Sequence, residues 1–553
     1  MRHTTLAMLL LCLFAPVVAI AGDGNLVDPA WLEAHRAEVL ILDASASQVY
    51  AAGHIPGAVS VDVFAYGAQE TPPAEMEKRL QSWGVDPART IVVYDAGGTY
   101  LATRVFFTLA YHGFPVDKLK VLDGGFAKWQ AAGLPVTKDP GAPVRGTFKV
   151  GALDEGLRVR LPEVLAGSGD RENYALVEAL GPDWHYGQVA PFDRPGHIPN
   201  SVLLPAADFF NADKTFKSVD ELRKMLAHLS VRPEQKVFSY CGGGIAASVP
   251  FFALKYIVGY PSVELFIESE LGWLKDEREL PHWTYDAPGM ARSAGWLASW
   301  NGKMLRMYGV SGVSIVDVRA KDAYDEAHIP FAVNLPAETF RSRLSTPAML
   351  ASTLGAAGVD PSHEAIIVSG AGITKEAALA FALLEKIGQK KVSILTDSAA
   401  KAAASGITMT KEPTVVGAAK TPADLAIKPA SYAANVRSGV IVQDSKSTRG
   451  VYPKVFLASG AALPSKPPEG TVIHVPYGSL LNEDGSPKAA KDIWAILSKA
   501  GVSRYAEVIT IADDPADAAV NYYILKLMGW PDVKMLAAPA PGQVAQAATK
   551  MCG

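Results

Sequence analysis

Cysteine is nearly missing from this chain. Three occur in 553 residues, at Cys12, Cys241 and Cys552. That scarcity excludes a disulfide framework, so stability has to come from hydrophobic cores, for which 49% hydrophobic residues supply the material. Long basic runs are absent too, and a net charge of −4 lacks the electrostatic footprint of a nucleic-acid binder. Beyond the N-terminal region no stretch approaches the roughly 20 apolar residues that span a bilayer. At roughly 100–200 residues per domain, the length corresponds to about three to five domains.

The N-terminus reads as an export signal. Arg2 and His3 precede the apolar run from Leu6 to Ile20, and Ala19-Ile20-Ala21 has the small-x-small pattern of a signal-peptidase site. Pro16 interrupts the run, which is short for a retained anchor. Cleavage is expected after Ala21, leaving residues 1–21 as a signal peptide. The mature protein is then periplasmic or secreted, with no stable membrane insertion, and keeps Cys241 and Cys552.

One pattern recurs four times. Each copy opens with an apolar strand ending in an acid: "LILDAS" at Asp43, "ALVEAL" at Glu178, "SIVDVRA" at Asp317 and "VIVQDS" at Asp444. A His-Ile-Pro corner follows in three of them, at His54, His197 and His328. A second apolar strand comes next ("TIVVYD", "KVFSYC", "AIIVSG", "EVITIAD"), then a helical run closed by glycine, then a third strand. Strands alternating with helices predict a parallel sheet covered on both faces, with ligands beyond the carboxyl ends of the strands. At the end of the central strand this reading places Asp95, Cys241, Gly370 and approximately Asp513. Pro/Gly/Ala-rich stretches separate the copies, giving expected domains at 24–141, 154–285, 293–412 and 421–546.

The second copy alone has a thiol there, in "YCGGGIAAS" (Tyr240 to Ser248). Gly242, Gly243 and Gly244 permit the positive φ that a cradle of backbone N–H groups needs. Gly242 to Ala247, through Ile245 and Ala246, would bind an anion with their amides, and a helix is expected to begin near Ala246 or Ala247. Pro250 fits its first turn, where a missing N–H costs nothing. A lone cysteine is more often a buried structural residue. The glycine triplet, the strand-loop-helix context and the three thiol-free copies reverse that reading in favour of a nucleophile.

The combination of an acid-ended strand with "GHIPGA", "IVVYDAGG" and "VLDGGFAKW" resembles the rhodanese-like fold. The second copy, with "GHIPNS" and "YCGGGIAAS", resembles its catalytic form. The first two copies together are similar to the two-domain thiosulfate and 3-mercaptopyruvate sulfurtransferases, whose N-terminal domain has lost the cysteine. The resemblance is clear in the third copy and weak in the fourth. It implies an α/β chain of four tandem rhodanese-like domains, each a parallel sheet flanked by helices. The first and third are inactive, with Asp95 and Gly370 at the cysteine position, and the fourth is degenerate.

The implied activity is sulfurtransfer by covalent ping-pong chemistry. Cys241 takes sulfur from a small donor, 3-mercaptopyruvate or thiosulfate, and passes it from a persulfide to a thiol, cyanide or protein-thiol acceptor. Neither metal nor organic cofactor is required. Arg194 resembles an arginine that holds a substrate carboxylate in the mercaptopyruvate enzymes; the alternative is an ordinary surface arginine. Tyr100 and Arg104, on the first copy's matching loop, are placed to close the site, with packing the expected role for Arg104. His54 and His197 are expected to satisfy backbone groups at their corners, and Trp129 and Trp273 to lie in cores.

Two departures bear on the donor. Residues 242–247 carry no charge, unlike the thiosulfate-type loops, and Gly243 stands where mercaptopyruvate enzymes carry a hydroxyl. Ile267-Glu268-Ser269-Glu270 replaces the family's Asp-Gly-Ser-Trp. A phosphatase or arsenate reductase is disfavoured, because Ala247 stands where an oxyanion-clamping arginine is needed. The alternative function is a non-catalytic or weakly catalytic binding or persulfide-carrier scaffold in the cell envelope. Cys552 is read as a terminal cysteine, with a resolving thiol as the alternative.

Overall fold

A computed structural model describes residues 23–66, 70–421, 425–446 and 448–537. The expected signal segment with Cys12, the segment carrying Cys552 and the last residues of the fourth expected domain lie outside the described residues. Among the described residues no helix is long and apolar enough to cross a membrane.

The apolar runs form short parallel strands with helices on their faces. The first set is β1 (Leu26–Val27), β2 (Leu40–Asp43), β3 (Val59–Ser60), β4 (Ile91–Tyr94) and β5 (Leu119–Leu122), in the order β1-β5-β4-β2-β3. The second set is β6 (Arg158–Val159), β7 (Tyr174–Glu178), β8 (Val202–Leu203), β9 (Lys236–Tyr240) and β10 (Val263–Phe266). The third is β11 (Ala291–Arg292), β12 (Val313–Asp317), β13 (Ala332–Asn334), β14 (Glu364–Val368) and β15 (Lys391–Leu395), in the order β11-β15-β14-β12-β13. A parallel pair, β16 (Thr414–Val416) and β17 (Leu425–Ile427), occupies the Pro/Gly/Ala-rich stretch after it. The last set is β18 (Ile441–Val442), β19 (Lys454–Ala458), β20 (Thr471–His474), β21 (Glu507–Ile511) and β22 (Val533–Leu536), in the order β18-β22-β21-β19-β20.

The chain divides into two compact units. The first comprises the described residues up to Val164 with Ala206–Arg223 and Pro233–Ser269; the second comprises Leu165–Pro205, Lys224–Arg232 and the described residues from Glu270 onward. The first unit holds the first sheet and, from the second set, β6, β10 and β9 in parallel register. The second unit holds the β7–β8 pair and the third and fourth sheets.

Central strands β2, β4, β14 and β21 are buried along their whole length, as their mainly apolar, Val/Ile/Leu-rich sequences demand. In the first unit, helix α1 (Leu101–Tyr111) packs on α2 (Ser248–Phe252). Phe106 meets Phe252 and Phe107 meets Phe251 edge-on, at 4.9 and 5.2 Å between ring centroids. Each such pair adds about 0.5–1.5 kcal/mol beyond the area it buries. The second unit repeats the arrangement. There α3 (Lys375–Lys386) packs on α4 (Pro515–Leu527), with Phe381 edge-on to Tyr523 at 5.0 Å.

Strand register corrects the position expected at Gly370 and sharpens the approximate one at Asp513. The last paired residues of the central strands against their β5-type neighbours are Val93, Ser239, Ile367 and Thr510. Two residues further on stand Asp95, Cys241, Ser369 and Ala512. The third and fourth copies therefore carry Ser369 and Ala512 at the cysteine position, rather than Gly370 and Asp513. The physical reason is the turn. In the third copy the left-handed residue Gly370 (φ +80°) comes immediately after the position it was aligned with.

Candidate active site

β9 delivers Cys241 to its carboxyl end, where the side chain is 3% exposed. The chain then turns back so that the Gly244 amide donates to Cys241 Sγ at 3.1 Å. One glycine makes this turn. Gly244 has φ +83°, and a Cβ there would sit 2.3 Å from Ile267 O. Gly242 has open space around it and, like Gly243, does not take a positive φ. Of the three glycines able to adopt a left-handed conformation, the cradle uses one. The helix begins at Ser248, slightly later than its sequence start, with Ala247 as the capping position and Pro250 in the first turn.

Side-chain hydrogen bonds hold the loop from three directions. Ser239 Oγ donates to Ala247 O at 2.7 Å. Ser248 Oγ lies 2.7 Å from Ile245 O and 2.7 Å from Thr103 Oγ1 on α1. Ser269 Oγ accepts from the Cys241 amide at 3.1 Å, donates to Phe266 O at 2.8 Å and lies 3.9 Å from Cys241 Sγ. Ser269 is fully buried and held at φ +50°, a left-handed conformation uncommon outside glycine. Sequence reasoning does not single Ser269 out as a site residue. Its only mark there is a hydroxyl in the loop after the third strand.

The first copy shows what the same loop does with an anion. Asp95 fills its own turn: Oδ1 accepts from Gly97 N at 2.8 Å, and Oδ2 accepts from Leu101 N at 3.1 Å and Ala102 N at 3.0 Å. Thr99 Oγ1 adds a fourth donor at 2.5 Å. Three amides of this turn hold the Asp95 carboxylate, and in the second copy the Gly244 amide reaches the sulfur.

The unusual Ile267-Glu268-Ser269-Glu270 segment has a local explanation. Glu268 accepts from the buried Arg158 guanidinium at 2.7 Å, and Glu70 pairs with the same side chain at 2.5 Å. Tyr111 Oη, 3.3 Å from Arg158, completes the group. Ile267 supplies the carbonyl against which Gly244 packs.

Tyr100 caps α1, and its carbonyl accepts from Ser248 Oγ at 3.2 Å while its ring is exposed. Its contact with the cysteine loop is therefore through the backbone. Arg194, in the second unit, commits both Nη groups to carbonyls, at 3.3 Å to Leu274 O and in a short bond to Leu280 O.

The corner histidines bind backbone in the first and third copies. His54 stacks on Tyr50 and lies 2.9 Å from Tyr50 O and 3.0 Å from Asp139 O. His328 does the same with Tyr324 O and Glu412 O. The second copy differs, because His185 replaces the stacking tyrosine. His185 and His197 stack at 3.6 Å with 4° between ring planes. His185 Nδ1 donates to Glu178 at 2.5 Å, and its Nε2 faces Asp286 at 3.2 Å. Glu178, His185 and His197 place ligand-type atoms within 4.8 Å of one another. The two rings lie in parallel planes, however, so their in-plane lone pairs do not converge on one point.

The group is instead a buried charge cluster. Burial opposes charging of His185, but Asp286 and Glu178 overcome it and lift the imidazole to about 9. His197 is pushed down to about 3 by burial and by its charged neighbour. A folded-state value above the unfolded ~6.5 contributes stability that is complete below ~6.5 and lost as pH rises through the folded value. The thermal midpoint of the unit containing His185 is therefore expected to fall as pH is raised from neutral through about 9. In His185→Gln, which cannot ionise, the midpoint is lower and varies less over that interval. A wild-type midpoint that stays flat would contradict the cluster's charge state.

The model of the rhodanese-like domain family matches residues 28–132 and 298–404, the segments of the first and third sheets. Cys241 lies between the two matches. A probable 3-mercaptopyruvate sulfurtransferase of Pseudomonas aeruginosa is 32% identical over 245 residues, covering 42% of this chain and 85% of that protein. The sulfur carrier protein TtuD of Thermus thermophilus is 28% identical over 276 residues, covering 45% of this chain and 93% of that protein. A putative thiosulfate sulfurtransferase 2 of Mycobacterium bovis is 27% identical over 257 residues, covering 43% and 78% respectively.

Proposed function

Because this chain belongs to the rhodanese-like sulfurtransferase family and is a sulfurtransferase, we propose that it is an exported enzyme with one catalytic thiol, Cys241. It carries sulfane sulfur from a small donor, 3-mercaptopyruvate or thiosulfate, to a thiol or cyanide acceptor. The four strand sets are read as four rhodanese-like units, of which only the second reacts.

The observation that carries this reading is the 3.1 Å hydrogen bond from Gly244 N to Cys241 Sγ, in a loop whose first-copy equivalent already holds a carboxylate. The chemistry follows in two half-reactions. The Cys241 thiolate attacks the outer sulfur of thiosulfate or the thiol sulfur of 3-mercaptopyruvate; the S–S or C–S bond joining that sulfur to the rest of the donor breaks, and its electron pair leaves with sulfite or pyruvate enolate. The persulfide keeps its outer sulfur among the amides of Gly242 to Ala247. Thiolate or cyanide then attacks that sulfur, the S–S bond breaks, and the Cys241 thiolate returns.

The loop's neutrality and the absence of a hydroxyl at Gly243 favour neither donor outright. The test is transfer to cyanide from each donor in turn, followed as thiocyanate. Saturable turnover with at least one donor is expected, and no turnover with either would sink the enzymatic reading.

A further inference from the structure

The third copy lacks a thiol but holds a cavity of about 1120 Å³, which lies wholly within the second unit. Small organic ligands occupy pockets of roughly 300–1,000 Å³, so the space suffices for one. It sits at the amino ends of the strands, where β12 begins at Val313 and where Asp360 and His363 precede β14. Ser369, at the cysteine position, follows the opposite, carboxyl end of β14. Strand β17 supplies another wall through Ala426 and Ile427. Its three residues are all apolar, yet none is fully buried.

Arg306, on the short helix Lys303–Met307, also lines this cavity. Its Nε and Nη2 donate to Asn301 Oδ1 at 3.0 and 2.7 Å, and its Nη1 donates to Val313 O at 3.3 Å. A guanidinium carries five N–H donors, so two remain. Burial holds Arg306 down at about 10, and no carboxylate among the described residues offsets it. Lys303 and Lys428 line the same space, against one acidic wall residue, Asp360. The cavity therefore carries an excess of positive charge over apolar walls.

Backbone conformation marks the same place. After the His-Ile-Pro corner the first two copies use Gly57 (φ +85°) and Asn200 (φ +64°), residues that tolerate a left-handed turn. The third copy holds Phe331 there at φ +67°, which is unusual for a bulky side chain. Its ring walls the cavity and lies 4.7 Å from Arg306 Cζ. A strained residue is thus kept where it gives the guanidinium an aromatic face. Beside it, Met304, Met307, Tyr308 and Val310 are all exposed. An exposed apolar patch of this kind marks a binding surface, and methionine adapts readily to flexible chains.

We propose that this cavity binds a single-chain amphiphile ending in a carboxylate, its chain against Ile315, Val333 and Ile427 and its carboxylate on the two remaining N–H groups of Arg306. The planar guanidinium matches a carboxylate at two points. A sugar or nucleotide would instead leave polar groups unpaired against the aliphatic wall. The third copy is then a ligand-binding unit, independent of the chemistry at Cys241.

The test is isothermal titration of the purified full chain with decanoate, 1-decanol and butyrate. Decanoate is expected to bind saturably, and 1-decanol, which lacks the charge, about tenfold more weakly. Butyrate, which has the carboxylate but little chain, should also bind at least about tenfold more weakly. Arg306→Leu should weaken decanoate about tenfold and leave 1-decanol within about threefold of wild type. Ala426→Phe, which fills the cavity and spares Arg306, should weaken both ligands. If Arg306→Leu does not fold, Arg306→Gln takes its place.

No saturable decanoate binding would overturn the proposal. So would an Arg306 variant that weakens acid and alcohol equally, or an Ala426→Phe variant that binds both like wild type. Binding to phosphatidylglycerol vesicles without any binding of decanoate would assign the apolar patch to a membrane surface and overturn it too. None of these measurements involves sulfur transfer, so the catalytic reading and this one fail separately.

Discussion

Cys241→Ala is expected to reduce sulfur transfer to the uncatalysed rate, a loss of about 10³-fold or more, with either donor. No other residue at the equivalent loop positions can replace it. Asp95 is a carboxylate already bonded to four donors, Ser369 is a hydroxyl that donates to Gly372 O at 2.6 Å, and Ala512 has no nucleophile at all. The fold should survive the change. Cys241 is small and sits at a strand end, so losing one sulfur atom removes about 1 kcal/mol of buried apolar contact. The amide of Gly244 loses its acceptor, a modest further cost of about 1 kcal/mol. The measurement is steady-state thiocyanate formation beside a thermal melt. A variant that melts like wild type and still turns over would remove Cys241 from the chemistry.

The second large effect is predicted at Gly244. Alanine there would have to adopt φ +83° with its Cβ 2.3 Å from Ile267 O, a backbone atom that cannot swing aside. The loop must shift instead. Backbone strain alone is worth about 1–3 kcal/mol, and moving the Gly244 amide away from Sγ disorders the cradle. A displacement on the order of 1 Å costs about 100-fold in rate, so Gly244→Ala should lose about that much turnover together with part of its stability. Gly242→Ala provides the contrast, since a Cβ at Gly242 meets nothing within 4 Å. It should remain within about threefold of wild type, the range of a change that leaves the reacting geometry intact. Equal losses at both positions would mean that loop flexibility, and not the aimed amide, is what matters.

Much of this was legible in the residues. Runs such as Ile91–Tyr94 and Lys236–Tyr240 have to be buried strands, and their alternation with helical runs implies parallel pairing. The uniqueness of Cys241 followed from comparing four copies of one pattern. What stayed hidden depends on three-dimensional register. A glycine triplet cannot tell which member takes the left-handed turn, because all three are able to. Aligning the third copy on Gly370 put it one residue late, since only strand pairing shows that Ser369 follows the strand as Cys241 does. The Glu268–Arg158 pair joins residues 110 positions apart, and no periodicity announces it. His185 sits twelve residues before the corner histidine it stacks on, whereas the tyrosines it replaces sit four residues before theirs.

The most direct test of the account is the mass of the Cys241 peptide after the purified protein meets each donor without an acceptor. The account predicts one added sulfur atom on Cys241, none on Cys552, and removal of that sulfur when cyanide is supplied. A wild-type peptide that gains no sulfur from either donor, or a sulfur found on Cys552 instead, would contradict it.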